Sequence, residues 1–170
     1  MKSRIILFLL LIAVVGAFPQ AQRDSLPRIQ SISVDRLKEI VRRDSGNVVL
    51  VNAWATWCKP CREELPGLLQ LRKEFLNKHF ELILVSADDM EIVDNTVRPM
   101  LKGLGVDFSS FIMDDSSSEA FMAKMMPDWN EAIALPTSFL YDKKGNLAGR
   151  FVGGRTYAQF DKGVMKLLKE

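Results

Sequence analysis

From residue 28 onward the chain alternates short apolar runs with stretches in which apolar residues recur every three or four positions. Val48-Val49-Leu50-Val51-Asn52-Ala53 is β-branched and almost wholly apolar, which predicts a buried strand. Leu82 to Ala87 repeats that pattern, and Phe108 to Met113 predicts a third strand of the same kind. Helical spacing fills the intervals. Val34, Leu37, Ile40 and Val41 fall on one helix face, with Ser33 as a cap and Gly46 as a stop. Leu65, Leu68, Leu69, Phe75 and Leu76 define a helix between Arg62 and His79, which Pro66 is expected to interrupt and kink. Ile92 to Leu104 predicts a helix closed by Gly103 and Gly105, and Glu119 to Met126 a short one stopped by Pro127. Thr137 to Asp142 and Leu147 to Val152 flank the turn sequence Lys143-Lys144-Gly145-Asn146 and read as a hairpin. Thr156 to Lys169 is an amphipathic last helix, and residues 23–32 read as a linker running into a short strand. Strands alternating with helices, followed by a hairpin and a closing helix, predict an α/β fold. Its sheet is central and mixed, with helices on both faces and right-handed crossovers between parallel strands.

The first 22 residues have a different rhythm. Lys2 and Arg4 precede an unbroken apolar stretch from Ile5 to Val15, and small residues follow at Val15-Gly16-Ala17 and Ala21. That is the layout of an export signal. The alternative is an uncleaved anchor, against which stands the 14-residue length of Ile5 to Phe18, short of the ~20 needed to span a bilayer. No cysteine lies near the leader to take a lipid. Residues 23–170 are expected to form one domain in an oxidising compartment, periplasmic or anchored facing outward. The charge supports no polyanionic partner. Setting aside Lys2 and Arg4, 21 of the 23 basic residues remain against 21 acidic ones, so nothing points to nucleic acid.

Chemistry concentrates at Trp57-Cys58-Lys59-Pro60-Cys61, which holds both cysteines of the chain. The pair sits where a predicted strand turns into a predicted helix. Free N–H groups and the positive dipole end there favour thiolate. In disulfide exchange Cys58 would be solvent-facing with a depressed pKa, and Cys61, one turn on, would lie deeper and resolve the mixed disulfide. Pro60 costs little at an early helical position, and Lys59 adds positive charge. A structural disulfide would close too small a loop to stabilise much. Zinc would need four ligands, where the chain offers two thiols and the distant His79. Cu(I) handling stays open, since two thiolates and eight methionines are soft ligands. Met122, Met125 and Met126, however, lie on a predicted helix, where packing is the ordinary use of methionine.

The block Trp54-Ala55-Thr56-Trp57-Cys58-Lys59-Pro60-Cys61-Arg62-Glu63-Glu64-Leu65-Pro66 resembles the active-site segment of extracytoplasmic thioredoxin-like proteins of the TlpA/ResA type. Leu135-Pro136-Thr137 is similar to that family's cis-proline segment, and Gly153-Gly154 to its glycine turn after the last strand. The resemblance covers most of residues 30–170. It implies a thioredoxin fold, with a helix and strand inserted within residues 88–134, and a thiol–disulfide oxidoreductase that needs no metal or organic cofactor beyond its redox-active disulfide. By it, Cys58 attacks, Cys61 resolves, Pro136 carries a cis peptide facing them, and Trp57, Leu135 and Thr137 contact substrate. Cytosolic thioredoxins bury an aspartate six positions before the first cysteine. Here that position is Asn52, and Glu64 after the motif is expected to tune the thiols and move the Cys61 proton. Asp128, Trp129 and Asn130 are expected to border the substrate groove or to serve packing.

The resemblance further implies protein thiol or disulfide substrates, a membrane electron donor and a reductive direction, with cytochrome c maturation among the uses. An oxidising enzyme on the same cysteine pair and a Cu(I) chaperone or assembly-binding module are the alternatives. A peroxidase would want the Thr-x-x-Cys arrangement of peroxiredoxins, which is absent.

Overall fold

A computed structural model describes residues 27–114, 117–128 and 134–170. The leader, Trp129 and Asn130 lie outside the described residues. Six strands form one sheet in the order β1-β4-β3-β2-β5-β6. These are β1 (Ile29–Ile32), β2 (Val48–Trp54), β3 (Phe80–Ser86), β4 (Ser110–Met113), β5 (Thr137–Tyr141) and β6 (Leu147–Val152). The first four run parallel to one another, whereas β5 is antiparallel to β2 and to β6. β1 and β6 are the two edges, and the chain enters β1 from the end of the sheet opposite to the C-terminal ends of β2 and β3.

The unbroken apolar runs are explained by burial on two sides. Side chains alternate faces along a strand, so a strand covered on both faces is apolar throughout. In β2, Val48, Leu50 and Trp54 join one buried cluster, and Val49, Val51 and Ala53 join the other. β3 divides likewise, with Leu82 and Leu84 on the first face and Ile83 and Val85 on the second. The first face is covered by α2 (Lys59–Glu74), α3 (Arg98–Gly103) and α5 (Tyr157–Leu168), through Leu65, Leu68, Leu71, Leu101, Phe160 and Val164. The second is covered by α1 (Val34–Arg43) and α4 (Ser118–Met125), through Leu37, Val41, Phe121 and Met122. Asn52 occupies an even position in β2 between Leu50 and Trp54, which turns its side chain to the face that α2 covers.

Two predicted elements differ from their expected form, α2 in two respects. α2 ends at Glu74 and not near His79, because Asn77 and His79 adopt positive φ (63° and 59°), which no continuing helix allows. α2 also runs unbroken through Pro66, which is exposed like Arg62, whose carbonyl loses its helical partner. The helix expected at 92–104 is a composite: a 3₁₀ turn at Met90–Ile92, a π-helical turn at Val93–Val97, then α3. Pro99 explains the wide turn, since its ring crowds the carbonyl of Asn95 and offers no N–H to it. The inserted segment between β3 and β5 thus contributes α3, β4 and α4, and β4 wedges between β1 and β3.

A candidate redox site at the start of helix α2

β2 ends at Trp54, and after four intervening residues α2 begins at Lys59, with Cys58 as its N-cap. The Cys58 sulfur accepts the backbone N–H of Cys61 at 3.3 Å, so it occupies the place where a serine or aspartate would satisfy a free helix donor. Pro60 stands within the first two helical positions, where its missing N–H leaves nothing unpaired. The two sulfurs are bonded to each other. Cys61 is fully buried. Cys58 is 6 % exposed, less open than its expected solvent-facing position, and it lines a groove. Trp57 is the exposed member, at 67 %. Lys59 reaches Glu63 at 3.7 Å, so its positive charge is shared with a carboxylate and not directed at Cys58 alone.

A groove of about 370 Å³ opens beside Cys58, lined by Trp57, Pro60, Leu135, and by Ser118, Glu119 and Met122 of α4. The inserted helix therefore forms one wall. Met125 and Met126 are buried in the core, as methionine packing predicts, while Met122 packs in the core and also reaches the groove. Leu135–Pro136 is a cis peptide. The Pro136 carbonyl accepts the N–H of Gly153 at 2.8 Å, and the Gly153–Gly154 turn sits close enough that a Cβ on Gly154 would lie 3.5 Å from Pro60. Trp57 and Leu135 thus line the groove. The Thr137 side chain does not. It is fully buried, and its hydroxyl donates to the Ala134 carbonyl at 2.6 Å, which shapes the turn that carries Pro136. Asp128 is exposed and forks onto Arg150 of β6 at 2.9 and 3.1 Å, an ion pair that holds the carboxyl below its usual pKa.

Glu64, one turn beyond Cys61 on α2, is 5 % exposed. Its Oε1 accepts from Asn52 Nδ2 at 2.8 Å and its Oε2 from the Arg155 backbone N–H at 2.9 Å. Asn52 Nδ2 also donates to Ser138 Oγ at 2.9 Å, which links Glu64 to the strand that follows Pro136. Burial pushes the Glu64 carboxyl above its ordinary pKa, and the Arg155 N–H, the Asn52 amide and the Arg155 charge pull it back only in part. Asn52 and Glu64, read separately from the sequence as a departure and its replacement, are therefore hydrogen-bonded partners.

One cluster escaped the sequence reading. Asp88, just past β3, is 6 % exposed. Its Oδ2 accepts from the Thr56 backbone N–H at 2.9 Å and from the Ser86 hydroxyl, and its Oδ1 accepts from the Thr56 hydroxyl at 2.7 Å. The doublet Asp88-Asp89 read as the opening of a loop, and only a buried aspartate facing a distant threonine distinguishes the two. Among the described residues no group of three or more His, Cys, Asp or Glu side chains is arranged to hold a metal ion, and no helix is long and apolar enough to cross a membrane.

Comparison with known proteins places these observations. Residues 25–150 match the AhpC/TSA family. A thiol-disulfide oxidoreductase ResA of Bacillus cereus is 32% identical over 131 residues, covering 76% of this chain and 69% of the relative. Sporulation thiol-disulfide oxidoreductase A of Bacillus subtilis is 23% identical over 163 residues, 93% of this chain and 94% of the relative. Among solved structures, a thiol:disulfide interchange protein of the thioredoxin family from Chlorobium tepidum TLS superposes with a TM-score of 0.61 at 28% identity, over 74% of this chain and 83% of its own.

Proposed function

The chain belongs to the AhpC/TSA family and is a thiol–disulfide oxidoreductase of the thioredoxin fold, and from that premise we propose that it works outside the cytoplasm as a reductant of protein disulfides. The observation that carries the reading is the Cys58–Cys61 disulfide at the first turn of α2, opening on a groove walled by Trp57, Leu135 and α4.

In the oxidised protein Cys58 holds the N-cap position and its sulfur accepts the Cys61 N–H; kept in the dithiol, that place sets the helix dipole and the N–H beside the sulfur and favours its thiolate. The Cys58 thiolate attacks one sulfur of a substrate disulfide. That S–S bond breaks, a Cys58–substrate disulfide forms, and the other substrate sulfur leaves as a thiolate, which takes a proton from water. Cys61, buried one turn on, gives up its proton and attacks the Cys58 sulfur, so that the mixed disulfide breaks, the second substrate sulfur leaves as a thiolate and the Cys58–Cys61 disulfide is restored. Two electrons pass to the substrate, and no metal or organic cofactor takes part. Glu64 is the proposed acceptor for the Cys61 proton, since a carboxyl raised by burial sits nearer working pH than an ordinary one. The same carboxyl favours the reductive direction. An anion one turn from Cys61 disfavours thiolate, and a couple whose reduced form is not stabilised gives its electrons away. Trp57 and Leu135 would contact the substrate, and the backbone before Pro136 would pair with its extended chain. The export-signal pattern of the first 22 residues supports placement outside the cytoplasm, where a membrane donor would return the enzyme to the dithiol. Haem-attachment apoproteins, whose cysteines must be reduced before use, are the proposed substrate class.

Equilibration with glutathione or dithiothreitol tests the direction. The expected potential lies nearer the ~−270 mV of a thioredoxin-type reductant than the ~−120 mV of a strong oxidant. A Cys61→Ser variant should retain substrates on Cys58 as mixed disulfides in the export compartment. If it captures nothing beyond a Cys58→Ser control, the exchange mechanism fails.

A further inference from the structure

The proposed reaction leaves one buried carboxylate unused. Asp88 contacts neither cysteine's proton path nor the groove, yet it is almost wholly buried and both of its oxygens accept hydrogen bonds. Burying a carboxylate is costly unless several donors compensate it, so its placement needs a reason. Two donors come from one residue, Thr56, through its backbone N–H and its hydroxyl. Thr56 is two residues ahead of Cys58, and the Cys58 N–H itself donates to the Ala55 carbonyl at 3.2 Å. The clamp is anchored behind by Ser86, the fully buried last residue of β3, whose hydroxyl donates to Asp88 while accepting the Asp88 N–H at 3.1 Å. The Ala87 N–H to Trp54 carbonyl bond, 2.8 Å, ties the same two chain ends together.

We propose that Asp88 is a positioning residue for Cys58: with Ser86 it locks Thr56, and through the 55–58 turn it holds the Cys58 sulfur on the N-terminus of α2 when the disulfide is open. The proposal rests on the reading that Cys58 is the attacking thiol. In the oxidised protein the bond to Cys61 fixes Cys58 by itself. In the dithiol that bond is gone, and the turn before Cys58 is held by hydrogen bonds alone. The clamp therefore matters most in the state that attacks. An asparagine is a weaker replacement for Asp88: its one oxygen can accept from the Thr56 N–H and the Ser86 hydroxyl, but its NH2 group then meets the Thr56 hydroxyl, which must turn from donor to acceptor and loses a charge-assisted bond.

The experiment follows alkylation of the reduced full chain by iodoacetamide across pH, beside disulfide exchange at fixed pH and thermal melting of the oxidised form. Thr56→Val, which removes the hydroxyl donor and keeps the Asp88 charge, should raise the apparent pKa of Cys58, while Thr56→Ser, which keeps both donors, should follow the wild type. A rise of about one unit cuts the thiolate fraction about tenfold below that pKa but makes each thiolate about threefold more nucleophilic, a net slowing of about threefold. Asp88→Asn also removes a negative charge, which by itself lowers a thiol pKa, so the Thr56→Val and Thr56→Ser pair decides. The proposal is overturned if the pH profile of Cys58 stays in place or moves down in Thr56→Val, whether or not its melting temperature falls, or if Thr56→Ser shifts it as Thr56→Val does. Absence of exchange in the wild type would instead sink the underlying oxidoreductase reading, and the two failures are thereby told apart.

Discussion

Glu64 and its two donors put a titrating group into the core, and the consequence can be measured as stability. Its pKa is raised in the fold, chiefly by burial, so the folded chain holds that proton more tightly than the unfolded chain does. By linkage, the contribution is fully present below the ordinary glutamate value and is lost as pH rises through the raised one. Denaturant unfolding at a series of pH values should show wild type losing stability relative to Glu64→Gln as pH climbs from about 4 toward neutrality, on the ordinary glutamate value of ~4.3. A flat difference would mean that Glu64 titrates as a surface carboxylate. Thr137→Val should also destabilise, by roughly 0.5–1.5 kcal/mol in the same unfolding assay, since the Ala134 carbonyl loses its hydroxyl donor. The pair Cys58 and Cys61 was legible because its spacing is local, and Pro136 because its neighbours resemble a known segment. Asn52 with Glu64, twelve residues apart, and Thr56 with Asp88, 32 apart, were not legible as pairs. Nothing in a linear chain states which buried polar groups will face each other across two elements.

At the level of elements, helix interiors offer a comparison between two glycines. A Cβ on Gly67 of α2 would lie 3.4 Å from Tyr157 Cβ, an ordinary contact. A Cβ on Gly163 of α5 would lie 3.1 Å from Phe151 and 3.3 Å from Leu140, closer than such atoms usually approach. Gly67→Ala should therefore collect most of the helix-propensity gain, roughly 0.5–1 kcal/mol, and Gly163→Ala should fall short of it because α5 has to back away from the β5–β6 hairpin. Chemical denaturation of the two variants checks the order, and a Gly163→Ala protein more stable than Gly67→Ala would contradict the packing argument. The strands and the final hairpin could be read from the sequence because apolar runs and a Gly-Asn turn are local signals. Helix ends were harder. The stop of α2 depends on left-handed backbone at Asn77 and His79, and the π-helical turn depends on how the chain relieves Pro99. Both are geometric outcomes that hydrophobic spacing does not encode.

For the whole molecule, the redox state and the folding equilibrium are one thermodynamic cycle. A four-residue disulfide loop removes little entropy from the unfolded chain, so the oxidised form should exceed the reduced form by no more than about 2 kcal/mol. The sign is the more telling part. A reductant is more stable oxidised, whereas a strong oxidant is more stable reduced. Guanidinium unfolding of both forms should place the oxidised protein above the reduced one, and the opposite order would point to disulfide formation. The strand order was beyond the sequence reading, since alternating elements predict a mixed sheet without saying that β4 enters between β1 and β3. That order has a geometric result. β1 is an edge strand parallel to β4, and the chain comes into it from the end of the sheet opposite the Cys58–Cys61 disulfide. Pro27 therefore leads into the sheet at the end remote from Trp57 and the sulfurs, so the mouth of the redox site and the point where the described chain starts face opposite ways.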